Sequence, residues 1–131
     1  MKKQNIIEVI KKYKDSFDPK RIPQKYITET EASIGLKFSA EFKEYLKTFG
    51  IAAVNGHELT GISKSKRLNV VDVTISERGY NPSIPMDWYV VEQANIDGIV
   101  IWQNKKGEIF QTIPRADPIK LCDSLAEYIE M

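Results

Sequence analysis

The stretch WYVVEQANIDGIVIW, residues 88–102, decides the fold. Trp88-Tyr89-Val90-Val91 and Ile99-Val100-Ile101-Trp102 are β-branched and aromatic runs flanking Asp97-Gly98, a pair that takes the positive φ angles of tight hairpins. A second turn at Lys105-Lys106-Gly107 leads into Glu108 to Ile113, so three strands are expected as an antiparallel meander. Both runs are apolar at consecutive positions, which places hydrophobic side chains on both faces of the sheet. Helices can cover one face, and the other is either covered within the domain or offered to a partner.

Upstream, the pattern changes to helical spacing. Ile6, Ile10, Tyr13 and Phe17 share one face, with Lys3, Glu8, Lys11, Lys12 and Lys14 mostly on the other, until Asp18-Pro19 to Pro23 breaks the helix. Thr28 and Glu31 have the spacing of a capping box, which predicts the start of a short second helix there, and Gly35 is its stop. Ser39 is placed to cap a third helix carrying Phe42, Tyr45, Leu46 and Phe49 as a core stripe, ended by Gly50. His57 to Ile62 reads as extended, and Gly61 within it as a bulge or a close backbone approach. Ser63 to Arg67 is basic, either a phosphate contact or a solvated loop. Over 69–79 the pattern fits a strand through Val71, Val73 and Ile75 and also a helical face of Val70, Val71, Thr74, Ile75 and Arg78, with propensity leaning to strand. Tyr80 to Pro85 is a turn-rich connector. Asp117 and Pro118 predict the start of a last helix lined by Leu121, Cys122, Leu125, Tyr128 and Ile129.

At 131 residues and 15.0 kDa the chain is expected to form one domain spanning 1–131. Its 19 basic and 18 acidic residues, mixed along the chain, leave a net charge of +1, which argues against nucleic acid or anionic membrane as partner. One cysteine forms no internal disulfide, the apolar run after Met1-Lys2-Lys3 is too short for a signal peptide, and no run spans a membrane. The cytoplasm is the expected location.

Catalytic and metal-binding schemes fail on spacing. His57-Glu58 lacks the second histidine of a zinc protease, since Gly61 stands there, and no glycine-rich nucleotide loop occurs. A Cys122–His57 nucleophile pair would need a thiol that the helical reading places on a buried stripe. Carboxylate pairs such as Glu29 with Glu31, or Asp123 with Glu127, are ordinary surface patterns without a device to separate their pKa values. No enzyme activity, cofactor or metal is expected.

The order of these elements resembles the SUKH superfamily, which includes Smi/Knr-type regulators of cell-wall synthesis and many bacterial toxin-immunity proteins. Residues 27–36, ITETEASIGL, look like the family's glutamate-rich helix closing on a glycine-leucine step, and residues 39–46, SAEFKEYL, like its acidic-aromatic helix. Glu58-Leu59-Thr60-Gly61 is similar to its extended element, and Asn95-Ile96-Asp97-Gly98 before an apolar strand to its hairpin. Val70-Val71, Thr74 and Arg78, followed by Asn81-Pro82 and Ile84-Pro85, resemble a helix and connector common in these proteins, which overrides the strand leaning at 69–79. Phe38-Ser39 in place of leucine-proline, and Phe49-Gly50-Ile51 in place of asparagine-glycine-glycine, depart from the family pattern while keeping size and capping. The resemblance implies an α+β, SUKH-like single domain, mainly antiparallel sheet, with a central meander packed by N-terminal and C-terminal helices.

It further implies an immunity protein that binds and neutralises a cognate bacterial toxin, a nuclease being the expected kind. The alternative is a regulatory protein-interaction domain of the Smi/Knr type. The expected partner is a protein. Interfaces favour aromatic and arginine anchors, so Arg78, Tyr80, Trp88 and Trp102 are the candidate anchors, with Glu77 and Asp97 as polar rim. Tyr80 pinning the connector, or Arg78 pairing within the fold, is the structural alternative.

Overall fold

Asn5 opens the first helix by accepting a hydrogen bond from the Ile7 amide at 2.8 Å. The computed structural model describes residues 5–13 and 20–131. The expectations placed on Lys3, Lys14, Phe17, Asp18 and Pro19 lie outside those residues. Helix α1 (Ile6–Lys12) buries Ile6, Val9 and Ile10. Helix α2 (Gln24–Ile34) corrects the expected start: Pro23 stands at the N-cap, and Thr28 and Glu31 lie inside the helix. Glu31 does not cap backwards; its carboxylate reaches forward and accepts from the Phe38 amide at 2.8 Å. Gly35 does end α2, in the left-handed conformation at φ 79°. Ser39 caps α3 (Ala40–Thr48) as expected, its hydroxyl accepting from the Phe42 amide at 3.0 Å.

A hairpin that the sequence reading did not contain follows, β1 (Ala53–Val54) with β2 (His57–Glu58). Asn55 and Gly56 turn it with φ of 48° and 78°, the positive pair of a type I′ turn. Only His57-Glu58 of the expected extended segment is strand. Gly61 is a close approach, because a Cβ there would lie 1.9 Å from the Gly50 carbonyl oxygen. A 3₁₀ turn over Lys66–Leu68 leads into α4 (Val70–Tyr80), so 69–79 is helical, as the family resemblance implied and strand propensity did not.

The sheet has four antiparallel strands in the order β3 (Tyr89–Gln93), β4 (Val100–Gln103), β5 (Ile109–Thr112), β6 (Ile119–Cys122). The fourth is a correction. Asp117-Pro118 does not start a helix but precedes an edge strand, and the last helix, α5 (Leu125–Ile129), begins only at its cap Ser124, which accepts from the Glu127 amide at 3.1 Å. Cys122 therefore lies on β6, half-buried, rather than on a helical stripe.

Alternation sorts the sheet's side chains into two cores. Tyr89, Val91, Ile101 and Ile109 pack with residues of α1, α2, α3 and α5. Val90, Val100 and Trp102, on the opposite face, pack with Val73 of α4 and with Ile84 and Trp88 of the connector. The second apolar face of the meander is thus covered by the domain itself. β3 is also covered along its free edge: the Thr60 amide donates to Val91 O at 2.8 Å, and Thr74 Oγ1 accepts from the Val90 amide at 3.0 Å.

Candidate functional site

Helix α4 places three of the six candidate residues, Glu77, Arg78 and Tyr80. Val70, Val73 and Thr74 face inward, Glu77 and Arg78 are half-buried, and Asp72, Ile75, Ser76, Gly79 and Tyr80 are exposed. Polar bonds strap the inner side to β3: Gln93 Nε2 donates to Glu77 at 3.0 Å, and Arg78 Nη2 donates to Met86 O at 2.5 Å and to Trp88 O at 3.4 Å. Burial pulls the Arg78 guanidinium below its ordinary pKa, and its Nη2 bonds tie α4 to the connector.

The two tryptophans lie inside. Trp88 is 8 % exposed and stacks on Phe110 with centroids 4.0 Å apart, and Trp102, at 0 %, donates from Nε1 to Thr112 at 2.8 Å. Neither offers an exterior face, because the second apolar layer consumes both. Glu77, Arg78, Trp88 and Trp102 are brought together around the outer face of β3. Tyr80 stands apart at the end of α4, 80 % exposed, and Asp97 lies in the β3–β4 turn with φ 52°. Ile75 (56 %) on α4 and Met86 (68 %) after it are also exposed; the sequence reading put Ile75 on the shared helical face and did not name Met86. That corrects the expected helical face: α4 buries Val70, Val73 and Thr74 and leaves Ile75 exposed.

A buried polar cluster was also missed. A β-bulge between Val90 and Glu92 pairs Glu92 with Ile101 and so turns it to the helical side of the sheet. There its carboxylate accepts from the Glu58 amide at 2.8 Å and from Tyr128 Oη at 2.5 Å, and lies 2.9 Å from His57 Nδ1. Burial, then the carboxylate beside it, pushes the Tyr128 phenol well above its ordinary value. A second network runs from the Ser39 amide through Tyr89 Oη and Gln103 to Glu41, whose oxygens also accept from the Leu125 and Ala126 amides at the start of α5. Both clusters join α5 to the sheet or to α3, and their donors and acceptors serve one another.

Cys122 donates to Ser124 O at 3.4 Å, and burial pushes its thiol up, away from the thiolate that a nucleophile needs. Among the described residues no group of three or more His, Cys, Asp or Glu is placed to hold a metal ion. No helix among them is long and apolar enough to cross a membrane.

A family model described as SMI1-KNR4 cell-wall, SUKH_5, matches residues 4–130, nearly the whole chain. No curated protein matches. The match takes in the capped helices, the α4 segment and the meander alike, and the chain belongs to the SMI1-KNR4 cell-wall family of the SUKH superfamily.

Proposed function

We propose that this protein is a non-enzymatic immunity protein that binds a bacterial toxin domain and blocks it. One observation carries the reading. The groups that could do acid–base or nucleophilic chemistry, Glu92, His57, Tyr128 and Cys122, are bonded to one another or to backbone, while three of the seven large apolar side chains exposed among the described residues, Ile75, Tyr80 and Met86, lie on or just after α4. Such a molecule acts through the shape of its exterior, and inhibition by occlusion needs no more than about 800 Å² of complementary surface per partner. Of the candidate anchors, Tyr80 has the exposure that supports an anchoring role, with Glu77 and Asp97 proposed as rim.

The family description favours a second reading, a regulatory interaction domain of the Smi/Knr type acting in cell-wall synthesis. Co-expression separates the two. If immunity is the role, the protein restores growth to cells expressing the toxin encoded beside its gene, and Tyr80→Ala weakens the rescue. If no such toxin adjoins the gene, or rescue fails with soluble folded protein, the regulatory reading replaces it.

A further inference from the structure

Three stretches without a single acidic residue, 20–28, 45–57 and 59–71, are folded against one another. The Lys20 amide donates to Phe49 O at 2.9 Å, Ile22 to Leu46 O at 3.3 Å, Ile62 to Gly50 O at 3.0 Å and Gly61 to Leu68 O at 2.9 Å. Two glycines make the crossing possible, since a Cβ on Gly50 would stand 2.3 Å from Lys20 O and one on Gly61 1.9 Å from Gly50 O. The exposed cations on this part of the surface include Lys20, Arg21, Lys47, Lys64, Lys66 and Arg67. Among the described ion pairs only Arg67 of the six has a carboxylate, that of Glu58.

We infer that this face is a docking surface for an acidic patch on a partner protein. The net charge of +1 conceals it, because a count over the whole chain balances these cations with acidic residues, although only Glu58 pairs with one of them among the described ion pairs and Asp72 lies beside two. Duplex nucleic acid calls for a pronounced basic surplus along its length, whereas a few cations interleaved with Glu58 and Asp72 match a compact acidic protein surface. Beside the basic loop lies a groove of ≈ 400 Å³ lined by Lys66, Arg67, Asp72, Val73, Ser76 and Gln93, in which the two cations outnumber the one carboxylate. The loop leads directly into α4, whose 11 residues span about 16 Å, so the charged face and exposed Tyr80 fit within one ordinary interface.

The inference rests on the protein-binding reading above and narrows it. A nuclease's phosphate-binding groove is itself basic and would repel this face, so a nuclease partner is gripped on an acidic surface outside that groove.

The test uses the full-length protein and a glutamate-rich peptide of about twelve residues, followed by backbone amide NMR at about 25 mM and about 150 mM salt. Expected are shifts confined to residues 20–22, 47 and 62–67, weakened by the added salt. The pair Lys64→Glu/Lys66→Glu weakens binding about fivefold or more, and Lys20→Glu/Lys47→Glu, on the other two segments, does the same. Lys105→Glu/Lys106→Glu, an equal charge change on the β4–β5 turn, alters it less than about twofold. No binding, shifts spread over the chain, or equal loss from the control pair would overturn the inference. So would tighter binding of a duplex of about 20 base pairs to the same residues, which would make the face a nucleic-acid surface. Peptide binding without toxin rescue removes the immunity role alone, and rescue without peptide binding removes this surface alone.

Discussion

Trp102 and Tyr80 are both large aromatics, and nothing in the sequence ranks one above the other as an anchor. The fold separates them completely. Trp102 fills the layer between the sheet and α4 with its indole N–H satisfied by Thr112, whereas Tyr80 projects from the end of α4. Trp102→Ala is expected to cost about 3–5 kcal/mol of stability by urea denaturation, as for a buried tryptophan emptied of its contacts. Tyr80→Ala is expected to stay within about 0.5 kcal/mol of the unchanged protein and to lose affinity for the partner by about 2 kcal/mol, read by calorimetry. An equal loss of folding from both would mean that Tyr80 is structural and leave the interface without its anchor. The tryptophans deceived the sequence reading for a physical reason: interface and interior select the same side chains, and only the position of α4 over β3 tells them apart.

The hairpin of β3 and β4 is legible because turn chemistry and β-branched runs agree, and α3 because its cap and apolar stripe agree. Elements were misread where a local signal had two uses. Residues 117–118 satisfy the rules for a helix start, yet β6 follows, because an edge strand that is half exposed shows no alternation to mark it. The true start was written seven residues later, in Ser124 and Glu127 at capping spacing. Thr28 and Glu31 show the reverse error, a capping pattern lying inside a helix. Because Gly35 reverses the chain, the buried Glu31 carboxylate meets the Phe38 amide, whereas Thr28 is exposed and takes only a surface contact with Gln24. Glu31→Ala should therefore cost about 1–3 kcal/mol, the penalty of leaving a buried donor unmet. Thr28→Ala should cost less than about 0.5 kcal/mol. Thermal melts of the two variants check this, and the opposite ranking would restore the capping box.

Across the whole molecule, the basic face and the buried phenols have one origin, namely that a balanced composition is sorted by folding into regions that are not balanced. No count of charges along the chain could show the face, which exists only once Gly50 and Gly61 cross. The phenols have a measurable consequence. Tyr45 donates to Thr60 O at 2.7 Å and Tyr89 to Gln103 at 2.8 Å, and burial holds both well above the ordinary tyrosine pKa. In the unfolded chain they ionise near pH 10. Above that pH the unfolded chain has released protons that the folded one retains, so rising pH favours unfolding. The stability is whole below about pH 10 and declines above it, by up to about 1.4 kcal/mol per pH unit for each phenol. The ion pairs of Lys12 and Lys120, whose ammonium pKa values are raised by their carboxylate partners, act in the same direction, so the raw slope does not isolate the phenols. Tyr45→Phe does: it should cost about 1 kcal/mol at pH 8, for the Thr60 carbonyl left unpaired, and then lose stability more slowly than the unchanged protein between pH 10 and pH 11. Urea midpoints across that range give the comparison, and parallel curves would show that Tyr45 ionises alike in both states and is not sealed in the core.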